Sequence, residues 1–518
     1  MTDGPKTLAA LIETQAISLK DKPFLLFEDR TISFTDLNRK VNRAANGLAA
    51  LGVGPGVGVS IMMANSPEWL YVHFGIQKLN AYTVPVNTGL KGEGLRHIID
   101  HSDSSLLVAD DTFVEEVIQI EDSLGKLKHI VTNKVDTGDV PDSWIPLSDL
   151  MQASDENPGV EIRNGELSAL MYTSGTTGAP KGVVNRYIGS ANAFGAFFQN
   201  NPEEEEEEIM YTCLPLFHAN ALGLSTLRAL SSGTTLALSK RFSASRFWDE
   251  IRRYRVTTFN ALGAMIPILL KQPKQDNDAD NPVKTVLSAA CPASVWEEFE
   301  KRYGVFIVEG YAAVDGGGFA VMNFGDAPKG SIGKPGNPYR LVDDDDVDVP
   351  VGTSGELIFE VDDAKAREVE YYKNEGAGKA RIVGGWFHTG DMLHADEDGN
   401  LYFDDRKTDS LRRRGENISA WEVEREINNI PVVLESAVYG VPSDLGEDDV
   451  MVAVQLQPGT TLSAEELIAH CEKNLAKFMV PRYVEFRDAL PKTGTHRTQK
   501  SVLKKDGVGP DTWDREAS

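Results

Sequence analysis

The chain has 518 residues, 41% of them hydrophobic and 25% charged, and a formal net charge of −26. Such a length calls for two or more domains around an ordinary soluble core, and the acidic excess argues against nucleic acid or an anionic membrane as main partner. Cys213, Cys291 and Cys471 are too scattered for a metal-ligand pattern and fit a reducing cytoplasm, no leader-type apolar region follows Met1, and apolar runs such as AMIPILL (264–270) are far too short to span a bilayer.

Residues 34–53 read as an amphipathic helix, followed by strand-like runs at 57–63, 82–87 and 105–110 with helical patterns between them. That alternation predicts mainly parallel sheets covered by helices, and the same rhythm returns over 167–308. Residues 330–404, richer in Gly, Pro and Asp, predict a small all-β lobe. After Asp405 a helix at 421–430, strands at 436–442 and 451–457 and a helix at 463–476 make an α+β unit of roughly a hundred residues. The acidic runs 203–208 and 343–346 read as solvated loops, because adjacent like charges repel and extend.

The segment YTSGTTGAPKGV (172–183) carries the most chemistry, with three glycines, five hydroxyl side chains and Lys181. Glycines let backbone approach an anion, hydroxyl and N–H groups donate to it, and the lysine adds a mobile positive charge. A plain surface linker is disfavoured by LSALM (167–171), which reads as a buried strand delivering the loop. The Walker pattern needs Gly-Lys-Ser/Thr, whereas Lys181 is followed by Gly182.

This segment closely resembles the signature of the adenylate-forming superfamily, which comprises acyl-CoA synthetases, peptide-synthetase adenylation domains and luciferases. Further motifs follow in that family's order: PLFH (215–218), SAACPAS (288–294), EGYAAVDGG (309–317), GEL (355–357), WFHTGD (386–391), DRKTDSLRRRGENISAWEVE (405–424) and LPKTGTHRTQK (490–500). The resemblance implies an α/β protein with a large N-terminal domain, residues 1–405, of layered α/β subdomains plus a small β-barrel-like lobe. A small mobile α+β domain, residues 406–518, follows it. It also implies an acid–CoA ligase using ATP, Mg²⁺ and coenzyme A, soluble and cytoplasmic, acting as a monomer or homodimer on a small carboxylic acid.

By the same resemblance Thr173, Ser174, Gly175, Thr176, Thr177, Gly178 and Lys181 hold the phosphates. The stretch Ala289, Ala290 and Cys291 flanks adenine opposite a stacked Tyr311, and Asp391 and Arg406 anchor the ribose. Asp315 and Thr176 are candidates for Mg²⁺, although Asp315 is one methylene shorter than the family glutamate, and Val314 stands where a threonine hydroxyl is expected. Arg497 occupies the place of the lysine that bridges acid and α-phosphate, with Lys500 as the alternative. Thr408 falls at the hinge. Arg412, Arg413, Arg414, Gly415 and Glu416 match the loop lining the pantetheine tunnel, where arginines suit coenzyme A phosphates, although a solvated basic turn is the plain alternative.

The acyl pocket by resemblance is bordered by His218, Ala219, Gly223, Ala261, Gly263, Ala312, Ala313, Gly316 and Gly317. Small side chains leave volume, which favours a bulky, ring-bearing (steroid-like) or medium-to-long fatty acid over acetate. The segment RRRGENISAWEVE is also similar to carnitine and crotonobetaine ligases, keeping that substrate class open. An adenylation-only protein, or a sensor on a degraded ligase scaffold, are the remaining alternatives.

Overall fold

The computed structural model describes residues 7–136, 139–173, 179–187, 207–262, 265–313, 315, 319–361, 369–406, 410–491 and 498–517, with the backbone alone at 405, 406, 410, 417 and 501. Two large sheets dominate the N-terminal part. One has seven strands in the order Ile145–Pro146, His129–Asn133, Ser104–Asp110, Gly58–Met62, Tyr82–Pro85, Leu167–Thr173 and Lys181–Arg186. All its neighbours are parallel except the last pair.

The other has eight strands in the order Ala320–Asn323, Phe306–Ala312, Thr285–Ala289, Thr258–Leu262, Ile209–Thr212, Thr235–Leu238, Pro23–Phe27 and Arg30–Ser33. It is parallel inside and antiparallel at both edges. Helices Phe34–Ala50 and Pro67–Lys78 join both sheets into one core that includes Val59, Ile61, Trp69, Phe74, Leu236 and Phe259. Strand Gly58–Met62 is buried at every position, as strands covered on both faces are.

The small β lobe is a five-stranded antiparallel sheet of Tyr339–Val342, Gly355–Glu360, Trp386–Ala395, Ile382–Val383 and Leu401–Arg406. The small C-terminal domain opens with a hairpin, Ser410–Arg413 with Glu416–Ser419. Helix Ala420–Asn428 and a sheet ordered Val433–Pro442, Asp448–Leu456, Tyr483–Phe486 and Trp513–Asp514 follow. Helix Ala464–Asn474 begins with a full capping box, Ser463 with Glu466. The hairpin and the final strand were not in the pattern read from sequence.

The small domain rests on the large one along residues 87–94. A methyl group on Gly89 would lie 3.1 Å from Phe478 Cε1 and one on Gly94 3.7 Å from Glu422 Oε1. Leu90, Leu475 and Met479 continue a single apolar cluster across the junction. Among the described residues no helix is long and apolar enough to cross a membrane.

Candidate active site

Strand Phe306–Ala312 carries the centre of the site. Its Glu309 is buried, and the carboxylate accepts from the backbone N–H groups of Ala290 and Cys291. Burial pushes this carboxyl up to about 7, against the opposing pull of those donors. Ala290 holds a φ of +68°, a strained backbone for a residue with a Cβ, and the buried acceptor is what offsets that strain. The loop 289–291 is thus fixed from behind, with Ala290 exposed toward the site.

Two residues on, the Tyr311 hydroxyl donates to Asp391 Oδ2 at 2.5 Å. Asp391 is buried in strand Trp386–Ala395, where Thr389 Oγ1 accepts its N–H at 3.1 Å, and its backbone partner across the sheet is Arg406. An aromatic face beside a fixed carboxylate suits a nucleoside: the ring can stack on a base and the carboxylate can accept from ribose hydroxyls.

The strand pair Leu167–Thr173 and Lys181–Arg186 aligns Thr173 opposite Lys181 and Tyr172 opposite Gly182. Lys181 Nζ lies 5.7 Å from the centre of the Tyr371 ring. Ser174, Gly175, Thr176, Thr177 and Gly178 lie outside the described residues, as do Gly263, Val314, Gly316, Gly317, Thr408 and Arg497.

Four assignments need correction. Asp315 does not present an open metal site: its Oδ2 is 2.6 Å from Arg381 NH1 and accepts from the Tyr371 hydroxyl at 2.6 Å. Among the described residues no group of three His, Cys, Asp or Glu could hold a metal ion, and Thr176 lies outside them, so no step is routed through Mg²⁺. Arg413 is not available to coenzyme A, because its side chain is 3% exposed and pairs with Asp449 at 3.1 Å while donating to Val480 O. Glu416 is not a coenzyme ligand in this arrangement; it accepts from Asn87 Nδ2 at 3.0 Å and sits 2.9 Å from His218 Nε2. Lys500 pairs with Glu424 at 2.8 Å inside the small domain rather than reaching the Tyr311–Asp391 pair.

The side chains of Arg412 and Arg414 are 39% and 57% exposed, with Arg412 Nε 3.7 Å from Glu447 and Arg414 NH2 3.7 Å from Glu516. Gly415 between them and Glu416 has a φ of +83°, and a methyl there would stand 2.3 Å from Leu262 Cδ1. Leu262 is in register with Ala289, so the hairpin tip of the small domain presses on the strand beside the loop 289–291.

His218 packs its ring against Phe217 at 4.6 Å and precedes an eight-residue π-helical stretch, Asn220–Leu227, a conformation found disproportionately at functional sites. Ala219 is half-buried, Gly223 and Ala261 are buried, Ala312 is exposed and Ala313 half-buried. Tyr371 and Arg381, which hold Asp315, and Asn87, which donates to Glu416, also shape the site and were not picked out from sequence. Glu309 had a signal, since it opens the EGYAAVDGG motif.

Residues 12–362 match the family model of the AMP-binding enzyme, and residues 422–497 that of the AMP-binding enzyme C-terminal domain. A crotonobetaine/carnitine–CoA ligase of Salmonella heidelberg is 31% identical, covering 97% of this chain and 99% of its own length. Among solved structures, a double mutant of o-succinylbenzoate CoA synthetase from Bacillus subtilis, bound with its product analogue OSB-NCoA, aligns at a TM-score of 0.80 with 26% identity, over 96% of this chain and 98% of that one. The same synthetase in complex with AMP aligns at 0.64 with 26% identity, over 95% and 98%. The chain belongs to the AMP-binding enzyme family and is an AMP-forming acyl-CoA ligase.

Proposed function

We propose that the enzyme joins an acid with a substantial apolar body to coenzyme A in two steps on one site. The acid's carboxylate oxygen attacks the α-phosphorus of ATP and pyrophosphate leaves; the coenzyme thiol, losing its proton, then attacks the acyl carbon and AMP leaves. Thr173 and Lys181 bind phosphate, Tyr311 stacks on the base, Asp391 accepts from the ribose, and Arg412 and Arg414 meet coenzyme phosphates. Arg497 is the proposed bridge of the first step, since Lys500 is held by Glu424.

The observation that carries this reading is the hairpin seated on the large domain through Gly415–Leu262 and Glu416–His218. The higher TM-score to the product-analogue complex than to the AMP complex of one enzyme supports a domain arrangement set for thiol transfer. The small side chains proposed to border the acid, Ala219, Gly223, Ala261, Ala312 and Ala313, accord with an acid larger than acetate. The full-length likeness to a crotonobetaine/carnitine–CoA ligase favours a second reading, a short acid bearing a quaternary ammonium. A cytoplasmic location accords with the use of ATP and coenzyme A.

Pyrophosphate release and thioester formation, followed over fatty, ring-bearing and quaternary-ammonium acids with and without coenzyme A, test the proposal. Turnover with the apolar acids alone supports the first reading, and turnover with crotonobetaine or carnitine alone replaces it. Pyrophosphate without thioester makes the protein an adenylation-only enzyme, and no pyrophosphate from any acid makes it a sensor.

A further inference from the structure

The helix Gly92–His101 carries two histidines one turn apart whose rings stack at 5.1 Å between centres. Each reaches a different end of the phosphate loop. His101 Nδ1 is 2.7 Å from the hydroxyl of Tyr172, the residue before Thr173, where the chain enters the loop. His97 Nε2 is 3.1 Å from the carbonyl oxygen of Pro180, the residue before Lys181, where the chain leaves it. A carbonyl can only accept, so His97 donates through Nε2.

The Tyr172 ring closes the arrangement. It stands edge-on to both imidazoles, at 6.4 Å and 5.8 Å, and lies against Gly182, where a methyl would be 3.1 Å from its Cζ. Burial, with His97 and Lys373 nearby, holds the His101 imidazole below its ordinary pKa against the pull of Asp103, and burial pushes the Tyr172 hydroxyl up. Both therefore stay neutral, as a Tyr O–H donating to an imidazole nitrogen requires.

We propose that His97 and His101 form a clasp that ties the paired strand ends at Tyr172 and Pro180 to helix Gly92–His101, and so positions Thr173 and Lys181 for adenylate formation. Both are positioning residues, acting through Tyr172 and Pro180. The inference rests on the proposed phosphate role of Thr173 and Lys181.

Because adenylation binds ATP polyphosphate and thiol transfer does not, a clasp acting on Thr173 and Lys181 affects one half-reaction only. In the full-length enzyme, His97→Leu and Tyr172→Phe should each raise the KM for ATP in pyrophosphate release about five- to tenfold, the size of one lost hydrogen bond or somewhat more. Thioester formation from preformed acyl-adenylate and the melting temperature should stay at wild-type values. His97→Gln, which keeps an N–H near the Nε2 position, should restore the ATP dependence. Equal losses in both half-reactions with a lowered melting temperature would reduce the histidines to packing, and an unchanged ATP dependence in both variants would overturn the clasp. Lys181→Ala, run alongside, separates the two ideas: if it leaves the ATP dependence unchanged, the phosphate role itself fails, whereas if it raises the KM and the clasp variants do not, only the clasp fails.

Discussion

Asp391 and Tyr311 are 80 residues apart in the chain and are bonded through Tyr O–H to carboxylate. A carboxylate buried to 2% exposure keeps its value to the enzyme only if a charged hydrogen bond compensates its desolvation. Asp391→Ala should therefore lower kcat/KM for ATP in pyrophosphate release by roughly ten- to a hundredfold, equivalent to about 1.5–3 kcal/mol for a bond to a charged group. A change of less than twofold in that assay would remove Asp391 from nucleoside binding. Both residues were legible in sequence because each stands in a motif. Their partnership was not, and neither was the pairing of His218 with Glu416, because a contact across 198 residues leaves no local signature. Arg381 illustrates the same limit: nothing in RIVGGW announces that its guanidinium turns back onto Asp315 and Tyr371.

Along the hairpin, the arginine triad sorts by the period of a strand. Side chains alternate across a strand, so Arg413 shares a face with Leu411, and both are 3% exposed. Arg413 and Arg482 then grip the two oxygens of Asp449 at 3.1 Å and 2.9 Å, while Asp514 from the last strand ties Arg482 in place. Three adjacent arginines therefore have unlike fates, a distinction that a basic run in sequence conceals until the strand register is known. Arg413→Met should leave Asp449 with Arg482 as its remaining partner and cost about 1–3 kcal/mol, seen as a fall in the melting temperature. Arg414→Ala should leave melting unchanged and raise the KM for coenzyme A several-fold. Equal melting for both variants would show that the buried pairing contributes nothing to stability.

Across the whole molecule the alternation of helical and strand periods did foretell the layered sheets, since parallel strands buried on both faces are written as continuous apolar runs. The seating of one domain on the other was not foretold, because it depends on residues such as Gly89, Gly94 and Leu90 whose significance lies in what approaches them. Glu422 lies at that junction, in a cleft it shares with Lys91, Glu93, Arg425 and Glu426. Burial raises its carboxyl from 4.5 to about 7, Arg425 opposing. A raised carboxyl contributes stability that is complete below about pH 4.5 and is lost as pH rises through about 7. Glu422→Gln should flatten the pH dependence of thermal stability over that window, by an amount on the order of 3 kcal/mol at most, and parallel curves for variant and parent would exclude the effect.

The pressing of Gly415 on Leu262 has a consequence for fidelity. The stretch proposed to border the acid is also the surface on which the hairpin sits, so the proposed two-step reaction would inspect an acid twice. An acid that displaced Leu262 would be expected to undergo adenylation yet obstruct the hairpin's seat, leaving the mixed anhydride to water. ATP is then spent without product. The ratio of AMP to thioester should climb above one as acids are made bulkier, and Leu262→Ala should bring it back toward one. A ratio fixed at one for every acid would mean that the choice is made once, when the adenylate forms.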